Sequence, residues 1–414
     1  MKIQSLRGMP DLFPEDLERW HLLESKLVEI FNSFNTKEIR TPVLESTELF
    51  GRSVGDSSDI VNKELYSFLD RNDDSISLRP EGSASVIRAV IQKKQEHEKH
   101  KLWYQGPMFR YERPQKGRFR QFHQVGVEYL GFEEGISEYE LISMVLQINQ
   151  LLGIGEYTIK INHLGDSEAK VNFCNALVSF LSPHIQDLHE KDQSRLNSNP
   201  LRILDSKEHS TQELLKDAPK FQDYISKDSK IFLNNLVKSY ESKCDIQIDH
   251  SLVRGLDYYT GIVFEVVSKD LGAQDAFLGG GRYDNLSGQL GGKDMHAIGF
   301  AIGLERIIEL LKVSNQSLPQ KTAFIITGEQ IEKKTYKIAD DLRRSNNKVT
   351  LDTFLSAGSL KSQLRRANKN NCNFAIIIGD NELQSGKIIW KDLGEDGEQE
   401  LLSVEELLNK YTNL

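Results

Sequence analysis

Between Phe109 and Gly131 the chain reads FRYERPQKGRFRQFHQVGVEYLG, and six side chains in it could do chemistry: Arg110, Glu112, Arg118, Arg120, His123 and Glu128. The residues before it, WYQGPMF from Trp103, are apolar. A stretch punctuated by proline and glycine, Arg113–Gly117, precedes a return through Phe119–Tyr129. That pattern predicts two strands joined by a long hairpin loop. Cations on the arms with an aromatic between them suit an anion attached to a flat ring, such as a nucleotide. Arginine offers phosphate a planar fork of donors and also stacks on rings. Edge hairpins that carry charge only to keep other chains from pairing are common as well. Taken alone, the segment leaves both readings open.

The flanking sequence must supply the frame. A helix is expected over Pro14–Asn35, with proline at its start, Glu15, Asp16 and Glu18 in the first turn, and Leu23, Leu27, Ile30, Phe31 and Phe34 at helical spacing. Glu38–Leu44 (EIRTPVL) predicts one short strand, confined by Pro42 to an edge or a distortion. Leu65–Asp70 and Ser75–Leu78 read as a hairpin, and Leu78-Arg79-Pro80-Glu81-Gly82-Ser83 opens a helix to about Gln92. Glu138–Leu152 is an amphipathic helix closed by Gly153, and Tyr157–Ile161 a strand. From 165 to 250 the texture becomes helical, polar and rich in Lys, Ser and Asp, with breaks at Pro183, Pro200 and Pro219. This has the size of a small helical insertion. Strands resume at Leu256–Ser268, a glycine-rich stretch follows, and Ala297–Ile302 leads into a helix over Leu304–Val313.

Ser314–Gln320 reads as a linker. Beyond it, apolar runs at Ala323–Ile326, Val349–Leu351 and Phe374–Ile378 alternate with helical stretches at Glu332–Ser345 and Ser359–Asn370, the mark of an α/β unit. Arg343, Arg344, Lys348, Lys361, Arg365, Arg366 and Lys369 stand there against a single acid, Asp352. Such a stripe is either a solvated helix face or an RNA contact.

Composition narrows the classes. A chain of 414 residues, 38% hydrophobic and 27% charged, has room for two or three domains. The net charge of −9 argues against a generally sticky nucleic-acid binder, though not against a basic face. Cys174, Cys244 and Cys372 are far apart and outside any CxxC spacing, so neither a disulfide framework nor a thiolate zinc site is expected. That suits a reducing compartment. No stretch approaches about 18 apolar residues, and a cytoplasmic protein without membrane contact is the expectation.

The string FR-x-E, a loop, then R-x-x-x-F resembles motif 2 of the class II aminoacyl-tRNA synthetases, and FRYERPQKGRFRQFHQ is close to the histidyl version. Four further segments are similar to the same family, in the same order: the helix and strand around Pro42 to motif 1, Leu252–Gly261 (LVRGLDYYTG) and Gly279–Asp284 (GGGRYD) to its two histidine-specific segments, and Gly299–Arg306 (GFAIGLER) to motif 3. The resemblance implies an α+β catalytic domain with a mostly antiparallel sheet flanked by helices, a small helical insertion and a C-terminal α/β anticodon-binding domain. The expected boundaries are 1–164 and 251–317 for the catalytic parts, 165–250 for the insertion and 322–414 for the last domain.

It also implies a chemistry: ATP-dependent activation of L-histidine and transfer to the 3′ end of its tRNA, by a homodimer built through motif 1. Attack on the α-phosphate gathers negative charge, and fixed cations stabilise it. Arg254 and Arg110 are then the expected catalytic residues. ATP falls to Arg110, Glu112, Arg118, Phe122 and Arg306, with Glu112 facing adenine or a metal. Histidine falls to Glu81, Gly82, Ser83, Arg110, Gln124, Glu128, Arg254, Tyr258, Tyr259 and Tyr283. Ser83 stands where the family commonly has threonine, and the hydroxyl is kept. Arg113, Gln115 and Lys116 in the loop, and Arg365 and Arg366 in the tail, are expected to meet tRNA. Mg²⁺ is expected on the ATP, with no dedicated metal cluster and no tightly bound cofactor. His123 and His163 are expected to be structural hydrogen-bonders. Two rivals are a catalytically silent paralogue, such as the regulatory subunit of ATP phosphoribosyltransferase, and an RNA-binding protein using the tail alone.

Overall fold

The computed structural model describes residues 3–55, 60–115, 117–272, 275–311, 320–327, 333–353, 358–394 and 397–414. Two compact units emerge, Met1–Lys312 and Val313–Leu414. The expected linker lies almost wholly outside the described residues.

The first unit is built on eight strands: β1 (Lys37–Glu38), β5 (His100–Phe109), β6 (Gln121–Leu130), β7 (Thr158–His163), β8 (Asp245–Ile248), β9 (Thr260–Val267), β10 (Ala276–Arg282) and β11 (Ala297–Gly303). Their order is β1-β5-β6-β11-β10-β9-β7-β8, antiparallel throughout except for the outermost pair at each edge. A smaller antiparallel sheet joins β2 (Leu44–Ser46), β4 (Ser75–Leu78) and β3 (Tyr66–Leu69). The single strand expected over Glu38–Leu44 is therefore two strands in two different sheets. Pro42 cannot donate to a ladder, and the chain leaves one sheet before it and enters the other after it.

Strand alternation separates the core from the site. On β6, Val125, Val127 and Tyr129 point into the main core, and Phe122, Gln124, Gly126 and Glu128 point to the opposite face. On β11, Ile298, Phe300 and Ile302 are core, leaving Gly299, Ala301 and Gly303 on the other side. The core face is covered by α1 (Pro14–Ser33), α4 (Ile136–Leu151), α8 (Lys227–Tyr240) and α10 (Leu304–Leu310), whose Leu23, Phe31, Leu141, Ile148, Leu236 and Ile307 are fully buried. Fully burying such a side chain is worth about 1.5–3 kcal/mol.

Shorter helices α2 (Thr47–Val54), α3 (Ser83–Gln92) and α9 (Leu286–Gln289), together with α5 (Ser167–Leu181), α6 (Glu190–Ser198) and α7 (His209–Leu215), complete the unit. Residues 165–250 are not helical to their end. Asp245–Ile248 forms β8, pairing in parallel with β7. Its apolar pair Ile246 and Ile248 is too short, among polar neighbours, to have signalled a strand. Phe173 and Leu177 of α5 share a core cluster with Tyr258 and Tyr283, so the helical stretch is packed into the first unit.

In the second unit β13 (Thr350–Thr353), β12 (Lys321–Ile326) and β14 (Phe374–Ile378) run parallel, and β15 (Lys387–Asp392) and β16 (Gln399–Ser403) extend the sheet antiparallel. Helices α11 (Lys333–Ser345), α12 (Leu360–Lys369), α13 (Asp380–Ser385) and α14 (Val404–Thr412) accompany it.

Candidate active site

On the face of the sheet turned away from the main core, β5, β6, β9, β10 and β11 floor a cleft of about 200 Å³. Four guanidiniums reach it: Arg110, Arg118, Arg254 and Arg306. Each is oriented by acceptors. Arg110 Nε donates to the carbonyl of Pro80 at 3.0 Å, and its guanidinium lies 5.2 Å from the centre of the Phe122 ring. Arg118 pairs with Glu112 at 3.0 Å. Arg306 donates to the carbonyls of Gly117, at 3.2 Å, and Ala276. Burial and the neighbouring Arg118 hold Arg306 below its ordinary pKa. A crowded, partly dry set of cations of this kind favours an anion.

Arg254 crosses the floor from the loop after β8 and donates to Glu265 of β9 at 2.6 Å. Burial opposes its charge, but Glu265 and Tyr259 outweigh burial and keep the group firmly protonated. A Cβ added at Gly279 would overlap this guanidinium, so the glycine of β10 is what lets it lie flat on the sheet. Gly299 does the same for Glu128, whose carboxylate occupies the space a side chain would take.

The other end of the cleft is acidic and aromatic. Glu81, 4% exposed, accepts from the backbone N–H groups of Ser83 and Ala84 at 2.6 and 2.9 Å, closing the start of α3. Ser83 Oγ donates to Glu128 at 2.5 Å, and the Tyr283 hydroxyl donates to its other oxygen. Burial raises both carboxyls, Glu128 to about 8. The rings of Tyr258, Tyr259 and Tyr283 pack on one another with centroids 4.8 to 6.3 Å apart. Gln124 Oε1 is buried with no hydrogen-bond partner among the described residues. An amide oxygen at a polar cleft without a partner is free to accept a hydrogen bond from a group that enters.

Comparison with known proteins now bears on this arrangement. A family described as Histidyl-tRNA synthetase matches residues 8–307, and one described as Anticodon binding domain matches residues 321–414. A histidine–tRNA ligase of Francisella tularensis subsp. mediasiatica is 44% identical over 99% of both chains. The chain belongs to the histidyl-tRNA synthetase family. A ligase of the novicida subspecies is 43% identical over the same share. Among solved structures, the apo histidyl-tRNA synthetase of Staphylococcus aureus superposes with a TM-score of 0.81 at 33% identity, covering 99% of this chain and 100% of the other. A Bacillus halodurans protein titled ATP phosphoribosyltransferase regulatory subunit/histidyl-tRNA synthetase has a TM-score of 0.65 at 22% identity, over 92% and 98%. At that identity the likeness speaks to the fold.

Within this synthetase fold, most of the expected site residues converge. Glu81, Ser83, Arg110, Glu112, Arg118, Phe122, Gln124, Arg254, Tyr258, Tyr259 and Arg306 all line the cleft. Gly82 sits beside the Tyr104 ring, immediately before α3. Glu128 and Tyr283 lie beneath the wall, reached through Ser83. Arg113 and Gln115 are exposed at the hairpin tip, and Lys116 is outside the described residues. Arg365 and Arg366 are exposed on α12, in the second unit. Arg120 stacks on Tyr111 at 3.9 Å and donates to the Glu112 carbonyl, bracing the hairpin. His123 meets Glu305 at 3.0 Å, and His163 Nδ1 accepts from the Gly165 N–H.

Two site-forming residues carried no motif, and a third, Glu305, stands inside the motif 3 string without a role assigned to it there. Glu265 is a single acid in an apolar strand, GIVFEVV, and that placement was its one legible signal. Tyr104 fills the space between Gly82 and Gly126, a close approach invisible in one dimension. Glu305 accepts the backbone N–H of His123 at 2.8 Å and ties α10 to β6.

Proposed function

We infer that this chain activates L-histidine with ATP, releasing pyrophosphate, and passes the histidyl group from the adenylate to the 3′ end of histidine tRNA. The observation that carries the reading is a single cleft lined both by four fixed guanidiniums and by Glu81, Gln124 and Tyr259. In the first step a carboxylate oxygen of histidine forms a bond to the α-phosphorus and the bond to the bridging oxygen breaks. Arg110 and Arg254 would flank the α-phosphate, where charge develops, and Arg118 and Arg306 the outer phosphates. Phe122 and the plane of Arg306 would hold adenine between them. Cations already fixed by carbonyls and carboxylates need no reorganisation as the reaction proceeds.

Glu81, Ser83 and Gln124 would accept the α-ammonium. Glu128, working with Tyr258 and Tyr259, would fix the protonation of the imidazole, and Tyr283 would close the pocket. Mg²⁺ would arrive with the ATP, with Glu112 facing adenine or that ion. Arg113, Gln115 and Lys116 would meet the acceptor end of the tRNA, and Arg365 and Arg366 its anticodon end. The expected division into catalytic parts, helical insertion and anticodon-binding domain is part of the same reading, as is a cytoplasmic location. A homodimer through Pro14–Leu44 belongs to it too, and a fully active monomer in sedimentation at micromolar concentration would contradict it.

Amino-acid-dependent ATP–pyrophosphate exchange, run across the twenty amino acids, tests the whole. Histidine alone should support it. No exchange with any amino acid is what a silent paralogue would give, and identity of 44% to ligases along the whole chain, with all four arginines in one cleft, supports the ligase instead.

A further inference from the structure

The loop that carries Arg254 runs from Asp249 to Tyr259 without helix or strand, and it is held by a few backbone hydrogen bonds, by the buried Leu252 and Val253 and by side chains from neighbouring elements. Its grip is at Asp257, three residues after Arg254 and immediately before Tyr258. Lys170 of α5 donates to the Asp257 carbonyl at 2.7 Å. Asn199, which closes α6, donates its amide to Asp257 Oδ1 at 2.7 Å. From the opposite side the end of α2 backs the same residue: a Cβ at Gly55 would stand 2.5 Å from Asp257 Oδ2. Arg202, from the same helical stretch, would be 3.3 Å from a Cβ at Gly255. Lys170 and Asn199 do not line the cleft.

We propose that Lys170 and Asn199 are positioning residues for amino-acid activation, through which the helical stretch sets the Arg254 guanidinium. The proposal rests on the reading of Arg254 as the cation at the α-phosphate. Glu265 tethers the far end of Arg254, while its backbone is held on one side by Asn162 at the Leu252 carbonyl, 3.1 Å, and on the other through Asp257. A guanidinium held at one end pivots, and a displacement of about 1 Å at a reacting centre costs on the order of 10² in rate. Burial pushes the Lys170 ammonium below its ordinary pKa, and the neighbouring Asp257 carboxylate works against that shift. The helical stretch thereby becomes part of the activation machinery, with consequences before any tRNA binds.

The test measures adenylate formation from histidine and Mg·ATP in single turnover on the full chain, with thermal unfolding of every variant. Asn199→Ala should slow the step by about tenfold, the scale of one lost hydrogen bond, with both KM values and Tm little changed. Asn199→Asp should be slower still, because a carboxylate then faces Asp257. Lys170→Arg should retain more rate than Lys170→Met, and if Lys170→Met does not fold, the two Asn199 variants decide. The double variant Asn199→Ala with Arg254→Ala should be no slower than Arg254→Ala alone, since a residue acting through Arg254 has nothing left to position. Multiplying losses, or a native rate in Asn199→Ala beside a slow Arg254→Ala, would overturn the positioning role. A fast Arg254→Ala would instead remove the reading on which the role rests.

Discussion

Arg254 lies flat on β10 because Gly279 leaves the space and Glu265 holds its end. An interaction made mainly in the transition state shows in kcat rather than KM. Arg254→Ala should therefore cut the rate of adenylate formation by about 10²–10³ and change KM for histidine little. Arg254→His should recover little, because a shorter, partly neutral ring cannot reproduce the fork. Loss of histidine affinity and of Tm together, with kcat intact, would make the residue a loop tie instead. Glu128 carries a second prediction. Burial raises its carboxyl to about 8, so the ligand-free folded state retains a proton that the unfolded chain releases near an ordinary carboxylate pKa of about 4.3. The stability this gives is complete below that ordinary value and is lost as pH climbs towards 8. Tm of the ligand-free protein should fall across that window, and Glu128→Gln should flatten the fall; parallel Tm profiles for the two proteins would contradict the assignment.

At the scale of elements, the GGGRYD segment does two jobs. Its glycines belong to β10, where Gly279 lines the cleft, and its arginine ends the strand. Arg282 is buried, pairs with Glu138 of α4 with Nε at 2.7 Å, and reaches the Phe132 carbonyl and Asp284, each at 3.0 Å. Removing one partner of such a pair strands a buried charge. Arg282→Ala should lower stability by about 3–5 kcal/mol, read as a lower urea midpoint with unchanged m-value. Glu138→Gln should cost less, because it keeps the shape and an acceptor. If Arg282→Ala left stability intact but abolished exchange, the residue would belong to the site and not to the frame.

For the molecule as a whole, the two compact units invite separate assays. A chain ending near Leu318 should retain histidine-dependent pyrophosphate exchange and lose most tRNA charging. The exposed cations Arg343, Arg344, Lys348, Lys361, Arg365, Arg366 and Lys369 are all in the unit removed. Contacts of this kind to phosphate make affinity fall steeply with salt. Charging by the full chain should therefore drop between low and moderate salt far more than exchange does. Unchanged charging by the shortened chain at moderate salt would take the tRNA role away from the tail.

Much was determined by order along the chain. The period-2 alternation of QFHQVGVEYL decided which side chains of β6 face the cleft side and which meet the core, and the resemblance of five ordered segments carried the family before any coordinates. Only the tertiary structure decided what holds those groups. Pro42 was readable as a distortion, yet that it divides two sheets depended on which partners its neighbours found. Glu265 meets Arg254 because β9 and a loop converge, and Tyr104 is wedged between Gly82 and Gly126 because three separate segments meet there. Asn199 reaches Asp257 across 58 positions of sequence. Local sequence encodes periodicity, caps and chemistry at short range. Pairings between distant residues, and the pKa shifts that burial imposes on Glu128, come into being only when the chain closes around them.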